Sequence, residues 1–139
     1  MTPLKQRIIS PEVNEPSPGM FSNCLRIGDF VYISGQTAAL REKDVGEESV
    51  EYAQARTIFE KIQSLMSAAG GKMDDIAKLT IFLTDISKRA DIWKARKEFF
   101  SGDFPTCSMV QVSALASPDM RVEIEAWAHL GSGARVEEG

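Results

Sequence analysis

The stretch Arg121-Val122-Glu123-Ile124-Glu125-Ala126-Trp127-Ala128-His129 alternates without a break. Val122, Ile124, Ala126 and Ala128 fall on one side, and Arg121, Glu123, Glu125, Trp127 and His129 on the other. That is the period of a β-strand. The first side suits a core closed by helices. The second carries two carboxylates, an indole and the only imidazole of the chain. Just upstream, Phe104-Pro105-Thr106-Cys107-Ser108-Met109-Val110-Gln111-Val112 also reads as a strand, and Ser117-Pro118-Asp119 between the two runs is turn material. The spacing predicts that the two strands are neighbours, with Cys107 and Glu123 close together at one edge. Alternating glutamates also describe a plain solvated sheet face, so the pattern alone leaves a structural and a functional reading open.

Working back from this stretch, Ile76 to Thr84 reads as a strand with Leu79, Ile81 and Leu83 on one face and Thr80 and Phe82 on the other. Asp85 to Ser87 offers a cap for a helix over Lys88 to Phe100, buried through Ile92, Ala95 and Phe99. A longer helix is predicted from a Ser49 cap to about Ala69. Ala55, Ile58, Phe59, Ile62, Leu65, Met66 and Ala69 recur at three- and four-residue steps on it, and Gly70-Gly71 closes it. Thr37 to Gly46 reads as a charged surface loop. Further upstream, Phe21 to Ile27 and Phe30 to Ser34 flank the Gly28-Asp29 turn as a hairpin. Gly35 ends the second strand, either as a bend or as a place where backbone approaches a ligand. Gln6 to Ser10 is a short first strand, followed by a proline-rich loop from Pro11 to Gly19. The order β-ββ-α-β-α-ββ predicts an α+β domain, with two helices on one face of a mixed sheet. The opposite face, with its aromatic and mixed-polar character, has the look of a subunit contact.

The chain has 139 residues, 43% of them hydrophobic, and a net charge of −4. One core-bearing domain is expected. Its organisation is an N-terminal strand and loop over 1–18, a single domain over 19–130, and a disordered tail over 131–139. Sixteen scattered basic residues form no stripe, which argues against nucleic acid as a partner. Cys24 and Cys107 read as reduced thiols. Met1 to Ser10 lacks the apolar run of a secretory leader, and no run approaches the ~20 apolar residues of a membrane span. A cytoplasmic protein without membrane association is therefore expected. One histidine and two cysteines cannot furnish the usual zinc sets, and no phosphate-binding or nucleophile-elbow motif occurs. No metal and no cofactor is expected.

Taken together, several motifs resemble one family. Gly19-Met20-Phe21-Ser22-Asn23 is similar to G-P-Y-S-Q, and Gly28 to Gln36 to G-(N/D)-x-V-(F/Y)-x-S-G-Q. Gly70 to Asp85 resembles A-G-x-x-x-D-(D/I)-(V/I)-V-K-x-T-V-F-(L/V)-x-D. Phe104-Pro105 and Val122-Glu123-Ile124-Glu125-Ala126 resemble F-P-A-R-(S/A) and (V/I)-E-I-E-A. On these motifs, from about Gly19 to His129, the chain resembles the RidA (YjgF) family of reactive-intermediate deaminases. The resemblance implies a chorismate-mutase-like fold and a homotrimer whose sheets form a central barrel. It also implies clefts between subunits that take small enamines or imines and hydrolyse them to carbonyl compounds and ammonia.

What the resemblance implies for single residues is partial. The family's water-activating carboxylate falls on Glu123, and the glycine beside the substrate on Gly35, next to Ser34. The family tyrosine falls on Phe21, which lacks the hydroxyl. The asparagine of the second helix falls on Trp93. The arginine that clamps the substrate carboxylate falls on Cys107, and a thiol offers an anion little of what a guanidinium fork does. A non-catalytic, regulatory trimer binding a small metabolite is therefore the alternative to a deaminase. Unless Arg96 or Arg121 supplies the charge from another direction, weak binding of 2-imino acids is expected. Cys107 itself reads either as a small cleft-lining residue or as a nucleophile wanting a nearby base. Nuclease activity, also attached to this family, is disfavoured by the acidic balance.

Overall fold

The computed structural model describes residues 2–133. It contains a six-stranded sheet in the order β1-β2-β3-β6-β4-β5. The strands are β1 (Lys5–Ile8), β2 (Cys24–Ile27), β3 (Phe30–Thr37), β4 (Ile76–Leu83), β5 (Thr106–Gln111) and β6 (Val122–His129). A short helix α1 (Glu42–Val45), the long α2 (Val50–Ala68) and α3 (Arg89–Lys97) complete the fold, which is mixed α+β as expected. The tail expected over 131–139 lies, from residue 134 on, outside the described residues.

Local chemistry explains the long helix. Ser49 sits in extended backbone and its hydroxyl accepts from the Tyr52 N–H, so the N-terminus is capped by its own sequence. Ile58, Phe59, Ile62, Leu65 and Met66 follow on one side and are fully buried, each stabilising the fold by about 1.5–3 kcal/mol. Gly70, at φ +92, turns the chain away, and the Gly71 N–H donates back to the Met66 carbonyl at 2.8 Å. On the sheet side, Val31, Ile33, Leu79, Ile81, Leu83, Val122, Ile124, Ala126 and Ala128 meet these helix residues in one core.

Two local expectations change. Residues 37–46 are not all loop, because α1 forms within them. Gly35 does not end β3. It lies inside the strand, where the pairing with β6 slips by one residue between Ile33↔Ala126 and Gln36↔Ile124. This is a β-bulge, which bends a strand and re-aims its side chains.

The larger correction concerns β5 and β6. They are not neighbours: β4 lies between them, parallel to β5 and antiparallel to β6. The parallel β4–β5 pair needs a crossover, and α3 supplies it. Cys107 pairs with Leu79, whose side chain enters the core, whereas Glu123 pairs with Phe82 on the opposite face. The two residues are therefore on opposite faces and two strands apart, about 10 Å across the sheet and about 10 Å along it.

Candidate active site

Glu123 occupies β6, the strand between β3 and β4, with Thr37 and Phe82 as its paired neighbours. Its side chain crosses directly over Gly35. A Cβ placed on Gly35 would lie 2.7 Å from Glu123 Cδ and 2.8 Å from Oε2. The glycine is thus required by the carboxylate: no other residue leaves room for Glu123 in this position. The bulge and the missing side chain act together, bringing β3 backbone against the acid.

The Glu123 carboxyl is half-buried, and its pKa is raised above the ordinary glutamate value of 4.5. Desolvation is the larger cause, and the negative charge of Glu125, two residues along the same face, adds to it. An acid shifted this way is closer to giving and taking protons near neutrality.

Beside Gly35 opens a cleft of about 180 Å³, lined among others by Glu15, Phe21, Asn23, Gln36, Thr37 and Lys61. The volume matches the liquid share of about six waters, room for a small metabolite and little more. Phe21 stands at the cleft and is exposed. The Ser34 hydroxyl donates to the Ser22 carbonyl at 2.6 Å, and the Ser34 N–H donates to the Asn23 carbonyl at 2.9 Å. Ser34 thereby ties the Phe21 segment to the bulge. Its oxygen is engaged in the structure of the site.

A buried amide pair forms the cleft's back wall and had no role in the sequence reading. Asn23 Nδ2 donates to the Asn14 carbonyl at 2.9 Å and to Glu15 Oε2 at 3.2 Å. Gln36 Nε2 donates to Ser34 O at 3.1 Å and to Asn23 Oδ1 at 3.4 Å. Asn23 and Gln36 are both present in the motifs quoted above. What was missing was the path of the loop at 13–16, which returns to cover them. Lys61 Nζ closes the other side, donating to the Thr37 carbonyl at 2.6 Å, and burial lowers its pKa.

Phe21, Ser34, Gly35 and Glu123 are therefore gathered around one bulge. Cys107 and Trp93 are not. Cys107 lies on the edge strand β5, on the helix side of the sheet, and Trp93 is exposed on α3. Burial pushes the Cys107 thiol pKa up, while the adjacent Arg96 guanidinium opposes it without reversing the direction. A neutral thiol is a poor nucleophile, which argues against the nucleophile reading of Cys107. Arg121 is committed elsewhere: it bonds Glu42 and lies 3.5 Å from Glu51. His129 is stacked edge-on with Phe30 at 4.4 Å, at the far end of β6 from Glu123.

Around Glu125, the same sheet face carries an aromatic belt. Tyr32 and Trp127 meet edge-to-face at 5.8 Å, and Lys78 Nζ lies 4.9 Å from the Trp127 ring. Phe30, Tyr32, Val110 and Trp127 are all exposed. Among the described residues, no helix is long and apolar enough to cross a membrane, and no cluster of His, Cys, Asp or Glu could hold a metal ion.

The fold and sequence have counterparts among known proteins. The family profile described as endoribonuclease L-PSP matches residues 13–130. The 2-iminobutanoate/2-iminopropanoate deaminase of Dermatophagoides farinae is 32% identical over 121 residues, covering 86% of this chain and 93% of its own. A Pseudomonas aeruginosa protein of unknown function superposes with a TM-score of 0.84 at 34% identity, over 94% of this chain and 95% of that one. RidA from an Antarctic Psychrobacter gives 0.76 at 33% identity, over 90% of this chain and 99% of its own. With the profile spanning nearly the whole chain and relatives above 30% identity along most of it, the chain belongs to the RidA (YjgF) family.

Proposed function

We propose that the protein is a cofactor-independent enamine/imine deaminase working as a homotrimer. The observation that carries this reading is the Glu123 carboxyl, partly desolvated and laid across the Gly35 backbone. The deaminase relative supports the same chemistry. The imine carbon is electrophilic without assistance. Water bonds to the carbon of the protonated imine while the Glu123 carboxylate takes a water proton, and the C=N electron pair moves to nitrogen, giving a neutral carbinolamine. Glu123 then gives that proton to nitrogen and takes the carbinolamine hydroxyl proton as the C–N bond breaks, leaving a carbonyl compound and ammonia, which carries the proton away as ammonium. An enamine first accepts a proton from Glu123 at carbon, giving the iminium for the same sequence. One water is consumed, and no redox step occurs.

The division of the candidate residues supports an assembly of this kind. Cys107 and Trp93 cannot reach Gly35 and Glu123 within one chain, and the aromatic belt leaves a large apolar face without cover. In a cyclic assembly, the β5 flank of one copy meets the bulge of the next, and each cleft is completed between subunits. Both cysteines are free, which supports a reducing, cytoplasmic setting.

Phe21 and Cys107, where the family has a tyrosine and an arginine, favour a second reading, a regulatory trimer that only binds a metabolite. Ammonia release from a panel of enamines and imines generated in situ decides between them. The deaminase reading expects turnover above the uncatalysed rate and a loss of about 10²–10⁴-fold in Glu123→Gln. Ligand-induced thermal shifts without turnover across the panel would favour the binding reading.

A further inference from the structure

We propose that Lys61 captures small carbonyl compounds: the cleft between α2 and the loop at 13–16 admits a short aldehyde, which the Lys61 amine bonds as a Schiff base. This activity lies beyond the Glu123 chemistry and does not rest on it.

Lys61 stands three residues after Ile58 and four before Leu65 on α2, so it shares a side with two fully buried residues. It is half-buried there. Its Nζ donates to the Thr37 carbonyl at 2.6 Å, and the side chain lines the cleft of about 180 Å³. The cleft lining holds one carboxylate, Glu15, and that group is engaged. Arg7 donates to its Oε1 at 2.6 Å, and Asn23 to its Oε2 at 3.2 Å. Lys61 takes part in none of the ion pairs among the described residues. An ammonium that has lost hydration without gaining a counter-ion is held less firmly in the charged form. Burial accordingly lowers the Lys61 pKa.

A desolvated lysine amine beside a cavity is the setting in which Schiff bases form. Once deprotonated, Lys61 keeps one N–H on the Thr37 carbonyl, which turns the nitrogen lone pair elsewhere. That pair bonds to the aldehyde carbon and the C=O pair moves to oxygen. Oxygen takes a proton from solvent, nitrogen gives one up, and a carbinolamine results. The hydroxyl then takes a further solvent proton and leaves as water while the nitrogen pair forms C=N. The product is the protonated Schiff base, whose remaining N–H stays on Thr37. One proton is taken up, one water is released, and nothing is oxidised or reduced. Val13, Pro16 and Phe21 supply apolar walls for the alkyl chain. The volume, about that of six waters, takes a chain of a few carbons. The lining offers no second cation to hold an anion once Lys61 has reacted, so an uncharged aldehyde fits best.

The test is reductive trapping of the native protein with propanal and cyanoborohydride at pH 7. Hydride converts the Schiff base to a stable secondary amine, and peptide mass spectrometry reads which lysines carry a propyl group. At low propanal, Lys61 should be labelled about tenfold ahead of the exposed Lys43 and Lys97. Its rate should saturate with propanal, as binding in a cleft requires. A lysine that only braces Thr37 gives the reverse order, since burial then shields it. Lys61→Arg keeps the charge and a donor for Thr37. It should lose the fast phase and leave the labelling of Lys43 and Lys97 unchanged. Glu123→Gln should be labelled as wild type is, and a slow Lys61 in that variant would contradict its independence from Glu123. Lys61 labelled no faster than the exposed lysines, a rate linear in propanal, or a fast phase that survives in Lys61→Arg would overturn the proposal.

Discussion

The bulge around Gly35 and the flank formed by β5 and α3 are built on opposite terms. At the bulge, every support of Glu123 comes from the same chain: β6 sits between two strands, the core lies behind it, and Asn23, Gln36, Ser34 and Lys61 have their hydrogen-bond partners. At the flank, β5 is an edge strand whose residues are mostly exposed, Trp93 projects outward, and the Arg96 Nε lacks an acceptor. The first region is preorganised, as the proton-moving role proposed for Glu123 requires. The second is unfinished in one chain. The contrast teaches where the proposed trimer would place its partner: against the half whose polar and apolar groups are still open.

The strongest way to break this comparison is to block the assembly. Tyr32→Glu with Trp127→Glu places charge in the aromatic belt. The double variant should sediment as a folded monomer and lose all measurable turnover while keeping its circular dichroism. A monomer with full turnover would show the bulge to be sufficient alone.

Next in size is Gly35→Ala. The new methyl would lie 2.7 Å from Glu123 Cδ, and the flexible carboxylate end would swing aside. Stability should fall by only about 1 kcal/mol, yet the rate should drop about 100-fold, the cost of roughly 1 Å of misplacement. Denaturant melts and initial rates measured on the same preparation check both halves of the expectation.

A smaller effect sharpens the electrostatic side. The folded Glu123 carboxyl holds its proton to higher pH than an unfolded one, ordinarily near 4.5. Folding takes up a proton in the window between the two values, so Glu123 costs stability as pH rises through it. Glu123→Gln should therefore melt higher than wild type at pH 7 and no higher at pH 3.5. Turnover of an imine by wild type should rise with pH through the raised value, since Glu123 must then be ionised to take the water proton.

Much of this was legible beforehand, for physical reasons. The α2 stripe repeats with helical period between a serine cap and a glycine stop, and such segments carry their own boundaries. The alternation of β6 marked the core face correctly and put Glu123 on the opposite side. Strand order was not legible, because a turn signal at Ser117-Pro118-Asp119 suggests a hairpin whether or not another strand intervenes. The composition of β5 held a clue: Thr106-Cys107-Ser108-Met109-Val110-Gln111 has too little apolar content for an interior strand. The bulge at Gly35 escaped because a slip of one residue belongs to a pair of strands. The Asn23–Gln36 contact escaped because it depends on a returning loop. Of the two arginines considered as replacements for the missing clamp, only tertiary contacts separate Arg121, held by Glu42 and Glu51, from Arg96.

The central claim is that each working site takes Glu123 from one copy and the Cys107 flank from another. It is tested most directly by complementation. Glu123→Gln lacks the acid, and Cys107→Trp fills the flank, so each alone should be inactive toward an imine that wild type hydrolyses. Unfolded together in equal amounts and refolded as mixed trimers, they should recover about a quarter of wild-type turnover, the share of clefts that draw both native residues in a cyclic assembly. No recovery, with mixed trimers verified by native mass spectrometry, would contradict the claim and return the whole site to a single chain.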